Sequence, residues 1–135
     1  MFWYLATPYR KFPGGLDAAW RLACDQTAAF VTAGIPVFSP IAHFHGVGRS
    51  PACGVDPTDS AAWVLINQPF MAASVGMIRL QAPGWDQSDG MWLEETWFRA
   101  QARPVTAVTV GPVSGETQRM FLAARDRATS ARASA

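Results

Sequence analysis

The stretch Phe2-Trp3-Tyr4-Leu5-Ala6, closed by Thr7-Pro8, opens the chain with a short run of apolar and aromatic residues. A run of this length without polar alternation is typical of a strand that is buried on both faces, as in a parallel sheet. Similar runs recur further along the chain, at residues 36–41, 75–80 and 104–110. The sequence therefore predicts four such strands.

Helical patterns separate these strands. From Leu16 the apolar residues fall at positions 16, 19, 20, 23, 30 and 31, and Gly34 with Pro36 supplies a stop. A second helix is expected to begin near Asp59, an acceptable N-cap, and Pro69 should kink or restart it. Two more helices are expected over residues 90–101 and 117–124, whereas the Gly-, Pro- and His-rich residues 42–57 are expected to form a loop.

The alternation of strands and helices predicts one α/β domain with a parallel sheet of four to five strands. The chain has 135 residues, of which 50% are hydrophobic and 16% charged, so it is long and apolar enough to build a sizeable core. We assign residues 1–124 to this domain. The Ala-, Ser- and Arg-rich residues 125–135 are expected to be a flexible tail.

Charge and cysteine content restrict the function classes. The net charge is +1, which gives no broad basic surface for a nucleic-acid polymer or an anionic membrane. No apolar run reaches the ~18 residues of a membrane span. Cys24 and Cys53 lie in unrelated contexts, and no signal-peptide pattern precedes them, so a reducing, cytoplasmic compartment is expected.

In a parallel α/β sheet, ligands bind outside the carboxyl ends of the strands. Four of the ten acidic residues fall within ten consecutive positions, 86–95, after the third strand: Asp86, Asp89, Glu94 and Glu95. Paired carboxylates near a small-molecule pocket suit cleavage of a glycosidic bond, where one attacks the anomeric carbon and the other handles a proton. In the structural alternative, Asp89 caps the helix and the two glutamates interact with the positive end of the helix dipole. Glu94, however, lies too far from Ser88 and Asp89 to form a capping box with either.

Three smaller patterns are open to two interpretations. Ser88-Asp89-Gly90 at a helix start is either a cap or a phosphate seat. His43 and His45 would point to one side of an extended segment, but no third ligand has diagnostic spacing, so we expect no metal and favour loop hydrogen bonds or nucleotide contact. The tyrosines that end or follow the first strand, Tyr4 and Tyr9, are either core aromatics or site residues.

Taken together, three segments resemble the nucleoside 2-deoxyribosyltransferase-like superfamily, and within it the DUF1937 family. They are Tyr4-Leu5-Ala6-Thr7-Pro8-Tyr9, the strand at residues 75–80, and Ser88-Asp89-Gly90 followed by Glu94; the resemblance covers about residues 2–112. It implies a flavodoxin-like, Rossmann-like three-layer sandwich and a homodimer or higher oligomer. It also implies cleavage or transfer at the N-glycosidic bond of a nucleoside or nucleotide, without a cofactor.

The resemblance also implies roles for individual residues. Glu94 matches the family's nucleophile and Tyr4 the tyrosine that orients it. Ser88 matches a serine that binds phosphate in the branch that hydrolyses 2′-deoxynucleoside 5′-monophosphates, and Arg10 and His43 match an arginine and a histidine of the same enzymes. A helix N-terminus and a tyrosine hydroxyl are expected to keep the pKa of Glu94 low.

One departure affects the expected mechanism. The family's general acid is an aspartate, but the matching position holds Asn67, and an amide cannot deliver a proton. Either Asp86 or Asp89 substitutes, or the base leaves without strong acid help, or the domain binds a nucleotide without turning it over. Trp85, in the Gly84-Trp85-Asp86 segment, either stacks on a base or closes the pocket. A scaffold protein without any ligand is the remaining alternative.

Overall fold

A computed structural model describes all residues from 1 to 135. It contains a four-stranded, all-parallel sheet in the order β2-β1-β3-β4. The strands are β1 (Trp3–Ala6), β2 (Val37–Phe38), β3 (Met77–Leu80) and β4 (Val105–Val108). The helices are α1 (Leu16–Thr32), α2 (Pro40–Gly48), α3 (Ser60–Ala73), α4 (Asp89–Ala100) and α5 (Gly115–Ala133), with a short 3₁₀ helix at Trp85–Gln87. The predicted flavodoxin-like three-layer α/β fold is confirmed.

Strand β1 divides the core into two layers because successive side chains of a strand point to opposite faces. Trp3 and Leu5 lie in a cluster with Phe30 of α1 and Phe121 of α5. The residues between them point to the other face, where Tyr4 lies in a cluster with residues of α3 and α4, including Met71, Met91 and Phe98. Both faces of β1 are therefore covered, as its uninterrupted apolar sequence predicts.

The strand order creates a crevice at the carboxyl end of β1. The chain runs from β1 to β2 on one side and then returns to β3 on the other side of β1. In open parallel sheets such a change of direction is where ligands bind. The crevice is bordered by the loop that follows β1, at Thr7 and residues 9–11, and by Ser88 at the end of the loop that follows β3.

Residues 40–48 form helix α2, which corrects the expected loop over residues 42–57. Ser39 is the N-cap, since its Oγ accepts a hydrogen bond from the backbone N–H of Ala42 at 3.1 Å. Pro40 occupies the first turn, where its missing N–H costs nothing. This helix was missed at the sequence level because its Gly and His content is typical of a loop, and because the capping residue, Ser39, lay within the predicted strand at residues 36–41.

Of two other predicted helix caps, one is confirmed and one is displaced by a residue. Asp59 caps α3 as predicted, by accepting from the N–H of Ala62 at 3.2 Å. Helix α3 does not restart at Pro69, which lies inside it. At α4 the cap is Ser88, which accepts from the N–H of Met91 at 3.2 Å, so the assignment of the cap to Asp89 was wrong by one residue.

The last helix is longer than predicted. It continues through residues 125–133 instead of ending at Ala124, so this segment is helical and not an irregular tail. Ala128 packs against the α1 side of the core, and Arg132 donates a hydrogen bond to the carbonyl of Ser74 at 3.0 Å. Alanine and arginine both favour helix, and a few contacts suffice to extend it. None of the helices combines the length and apolar content needed to cross a membrane.

Deleting residues 125–135 is expected to destabilise the protein, because Ala128 and Arg132 lose their contacts with the core and with Ser74. We expect the free energy of unfolding to fall by roughly 1–3 kcal/mol, measured by urea denaturation. A chain that lacks only the exposed residues 134–135 is the control and should match the full chain. Equal stability of all three proteins would contradict the packing role of this segment.

Candidate functional site

The crevice at the carboxyl end of β1 is a pocket with a polar side and an apolar side. The polar side comes from the loop after β1 and from the start of α4, and the apolar side from α2 and α3. Its lining residues are Thr7, Tyr9, Arg10, Lys11, Pro40, Ile41, Phe44, His45, Gly48, Pro57, Thr58, Ser60, Trp63, Val64, Asn67, Ser88, Asp89, Gly90, Met91 and Glu94. The pocket thus gathers segments that are far apart in sequence.

Gly84 lets the two polar loops approach each other. Its φ is +90°, a conformation that L side chains rarely adopt. A Cβ at this position would collide with the backbone carbonyl of Lys11. The Gly84-Trp85-Asp86 segment therefore sets the spacing between the loop after β1 and the cap of α4.

Glu94 lies in the pocket wall and is only 6% exposed. Burial raises its pKa to about 7, and the nearby Tyr4 hydroxyl lowers the pKa by a smaller amount. The expectation of a low pKa was therefore wrong. Glu94 follows Asp89, the first residue of α4, by five positions, and the field of a helix N-terminus weakens beyond the first turn. Desolvation outweighs that field here.

Tyr4 lies against Glu94 but does not itself line the pocket. It is completely buried, and its pKa is raised well above the usual value by this burial and by the adjacent Glu94 carboxyl. The hydroxyl makes no hydrogen bond of ordinary geometry, yet it is close enough for Tyr4 and Glu94 to shift each other's pKa. The structure thus brings together the two residues that the resemblance paired.

Two further buried polar atoms in the pocket lack partners. Asn67 is 5% exposed and Thr7 is 4% exposed, and neither Asn67 Oδ1 nor Thr7 Oγ1 has a hydrogen-bond partner. Buried polar atoms are almost always paired, so these two oxygens are candidates to form a hydrogen bond with a group in the pocket. Thr7 was missed at the sequence level because it was interpreted only as the end of β1.

The cap of α4 keeps its hydrogen-bonding capacity toward the pocket. Ser88 Oγ accepts from the N–H of Met91, which leaves the hydroxyl hydrogen free to be donated. The N–H groups of Asp89 and Gly90 come too early in α4 to have a partner in the helix. The two interpretations of this segment, a cap and an anion seat, are therefore compatible.

Arg10 and Lys11 bring positive charge to the mouth of the pocket. The Arg10 guanidinium lies 4.0 Å from the Asp89 carboxylate, and the two side chains are 53% and 72% exposed. Such a solvated pair contributes little to stability, so Arg10 can exchange Asp89 for another anion at small cost.

The four clustered carboxylates separate in the folded chain. Only Glu94 and Asp89 line the pocket. Asp86 is exposed on the 3₁₀ helix, outside the pocket, so its proposed role as substitute acid has no geometric support. Glu95 points elsewhere, with ion pairs of 2.7 Å to Arg79 and 3.1 Å to Arg99. Neighbours in a helix face different directions, and the sequence cluster therefore does not persist in space.

Of the two histidines, His45 lines the pocket and His43, the one that the resemblance matched, does not. In the predicted loop both rings would face one side, but in helix α2 they face different sides. His43 is exposed and lies outside the pocket, next to Phe38 and Phe44. His45 is buried in the pocket wall, where its Nδ1 is 2.6 Å from the hydroxyl of Tyr9. His45 is thus the histidine available to a ligand, and no group of three His, Cys, Asp or Glu residues is arranged to hold a metal.

The tryptophan of the pocket is Trp63 and not Trp85. Trp85 packs against the α4 side of the core, with the Arg79 guanidinium 4.6 Å from its ring centroid. Trp63 lies in the apolar wall, held by a 2.8 Å hydrogen bond from its indole N–H to the carbonyl of Asp56. The sequence offers Trp85 as a residue that stacks on a base or closes the pocket, but in the 3₁₀ helix its side chain packs on the core instead.

Replacing Glu94 with Gln is expected to stabilise the protein at alkaline pH. Since burial raises the folded-state pKa of Glu94 from 4.5 to about 7, ionisation destabilises the fold as pH rises through this range. The free energy of unfolding of Glu94→Gln, relative to that of wild type, should rise by up to about 3 kcal/mol from pH 5 to pH 8. Urea denaturation at both pH values measures it.

Glu95→Gln is the matched control for this change. Burial opposes the ionisation of Glu95, but its bonds to Arg79 and Arg99 outweigh that effect and lower its pKa. This variant should therefore show no gain at alkaline pH. If the free energies of unfolding of Glu94→Gln and wild type differ by the same amount at both pH values, the burial of an ionisable carboxyl at this position is contradicted.

Comparison with known proteins adds one finding. The family model described as a domain of unknown function, DUF1937, matches residues 2–110. This range includes all the strands of the sheet and every residue that lines the pocket. No curated protein matches the chain. From its sequence match, which spans most of its length, the chain belongs to the DUF1937 family.

Proposed function

We propose that this protein cleaves the N-glycosidic bond of a nucleoside 5′-monophosphate or nucleoside, with hydrolysis favoured over transfer. The observation that carries the proposal is Glu94. It is a buried carboxyl with a pKa of about 7 in a pocket at the carboxyl end of β1, with Tyr4 behind it. Perturbed carboxyls in such clefts are characteristic of catalytic sites. The motif resemblance to nucleoside 2-deoxyribosyltransferase-like enzymes supports the same reaction class.

In the proposed reaction, ionised Glu94 attacks C1′ of the sugar as the bond to the base breaks. The resulting ester is then hydrolysed by water. A pKa of about 7 leaves a large fraction of Glu94 ionised at neutral pH. Tyr4 is completely buried beside the carboxyl, so it can hold Glu94 in one orientation during the attack.

A 5′-phosphate would bind at the start of α4. The free N–H groups of Asp89 and Gly90, the Ser88 hydroxyl and the Arg10 guanidinium all border the same part of the pocket. A helix N-terminus with a nearby cation is a favourable anion site. The apolar side of the pocket, with Phe44 and Trp63 at 5.4 Å between ring centroids, suits the base.

The proposal extends to setting and assembly. No cofactor is required, since the carboxylate chemistry needs none. Both cysteines are free, which suits a reducing, cytoplasmic compartment.

Leu65 on α3 and Trp92 on α4 are 66% and 67% exposed, and large exposed apolar side chains on adjacent helices favour a second copy of this chain as partner. Sedimentation equilibrium should therefore give a dimer or higher oligomer; a monomer at all concentrations would contradict this part.

The reaction is tested by incubating the protein with ribo- and deoxyribonucleosides and their 5′-monophosphates and following free base by chromatography. We expect base from at least one substrate, and no detectable release by Glu94→Ala with an unchanged far-ultraviolet circular dichroism spectrum. Glu95→Ala is the matched neighbour outside the pocket and should retain base release. Activity that survives Glu94→Ala would show that another residue is the nucleophile.

Ser88→Asp tests the phosphate seat. Aspartate is also a good N-cap, so helix α4 should persist. The added negative charge should lower kcat/KM for monophosphates at least 10-fold more than for the corresponding nucleosides, through like-charge repulsion. The ratio of the two kcat/KM values is the measurement, and an equal loss for both substrates would argue against phosphate at this position.

A non-catalytic nucleotide-binding module is the second candidate, and Asn67 favours it. This side chain lies in the pocket wall where the resembling enzymes have an acidic residue, and it carries no proton for a leaving base. Saturable nucleotide binding by calorimetry, with no base released from any substrate, would support the module. A thermal shift with no response to any nucleotide would favour a scaffold protein instead.

A further inference from the structure

A chain of three polar side chains leads from the pocket to the surface. The Tyr9 hydroxyl is 2.6 Å from Nδ1 of His45, and Nε2 of His45 is 2.9 Å from the Asp17 carboxylate. Arg49 forms an ion pair with the same carboxylate. The chain joins the loop after β1, helix α2 and helix α1, so only the folded protein assembles it.

The His45 ring is held in one orientation. Its side chain is 5% exposed, and Trp20 stacks on it at 5.3 Å between centroids with an interplanar angle of 16°. Tyr9 meets the ring edge-on at an interplanar angle of 82°. Tyr9 and His45 both line the pocket, whereas the Asp17 side chain is 55% exposed outside it. The Tyr9 hydroxyl is therefore the end of the chain that a bound substrate can reach.

The pocket otherwise lacks a clear proton donor. Asn67 has no acidic proton, Asp86 lies outside the pocket, and Asp89 is a solvated side chain at its mouth. We propose that Tyr9, with His45 and Asp17 behind it, donates the proton to the leaving base and later accepts one from water. The inference rests on the proposed N-glycosidic cleavage and names the acid and base of that same site.

The positions of the hydrogens follow from Asp17. Its carboxylate has a lowered pKa, chiefly because Arg49 donates to it and with a smaller contribution from His45, so it is an acceptor. The Asp17 carboxylate therefore accepts a hydrogen bond from the Nε2–H of His45. The ring atom that can exchange a proton with Tyr9 is Nδ1, which faces the Tyr9 hydroxyl. The other charged groups around the pocket are Arg10 and Lys11 at its mouth, Asp89 beside them, and Glu94 in its wall.

In the first step, Tyr9 gives its hydroxyl proton to a nitrogen of the base while the His45 imidazolium passes its Nδ1 proton to Tyr9. The electron pair of the bond between C1′ and the base goes to the base, and Glu94 forms the new bond to C1′. In the second step, a water oxygen attacks C1′ and the bond to Glu94 breaks, with its electron pair returning to the carboxylate. The water proton goes to Tyr9, whose own proton returns to His45 Nδ1, so the enzyme is regenerated.

The pH dependence of base release tests this relay. Wild type should show a bell-shaped profile of kcat/KM, with an acid limb that rises near pH 7 as Glu94 ionises and an alkaline limb that reports the proton relayed through Tyr9. Tyr9→Phe removes only the hydroxyl. It should lower kcat about 100-fold or more, leave KM within a few-fold, and abolish the alkaline fall while the acid limb remains. A Tyr9→Phe profile with the wild-type shape would overturn the inference.

Two histidine variants provide a matched pair, since His43 and His45 lie on the same helix. His45→Gln should lose the alkaline limb, and His43→Gln should keep it, because only His45 contacts Tyr9. Asp17→Asn keeps a side chain of the same size but removes the carboxylate that accepts from His45 Nε2 and fixes the hydrogens of the ring, so kcat should fall about 10-fold or more with KM within a few-fold. This variant changes an exposed residue, and it keeps the test available if His45→Gln does not fold.

Nitrogen-15 NMR of the two histidine rings gives a readout independent of activity, with His43→Gln assigning the signals. When neutral, His45 should carry its hydrogen on Nε2 and accept from Tyr9 at Nδ1; a hydrogen on Nδ1 with a bare Nε2 would overturn the relay. The failures are distinguishable: an inactive wild type refutes the proposed function and the inference with it. An active wild type with an unaffected Tyr9→Phe refutes the inference alone.

Discussion

The burial of β1 on both faces is the constraint on which the rest of the structure depends. Trp3 and Leu5 anchor α1 and α5 on one side, and Tyr4 meets α3 and α4 on the other. Beyond the last residue of β1 the connections diverge, since β2 lies on one side of β1 and β3 on the other, and this opens a crevice. The pocket therefore lies at the end of the same strand that divides the core. Tyr4 belongs to both, since its ring packs in the core and its hydroxyl faces Glu94.

The pocket keeps polar atoms that a purely structural core would not retain. Glu94, Asn67 and Thr7 are nearly inaccessible to solvent, and the oxygens of Asn67 and Thr7 have no partner. Each such group costs free energy when it is left unpaired. We interpret this local cost as support for the proposed binding of a polar ligand in the crevice.

Local sequence signals predicted most of the fold because they report on local physics. The apolar run at residues 2–6, the helical spacing from Leu16 and the Asp59 cap are decided within a few residues, and the structure has them. The errors had two causes. Residues 40–48 were missed because their local cap, Ser39, was assigned to a strand, whereas residues 125–133 continue α5 because distant contacts with the core and with Ser74 hold them.

The sequence by itself determined the α/β class, because that depends on strand and helix patterns read along the chain. It also carried the motifs of the family, and the pairing of Glu94 with Tyr4 was what that resemblance implied. Only the tertiary structure decided which of the clustered residues share a pocket. Helix geometry sends Glu95 to Arg79 and His43 to the surface, and it turns Glu94 and His45 inward. The raised pKa of Glu94 and the Tyr9–His45–Asp17 chain come from burial and from contacts between separate elements, which no local pattern encodes.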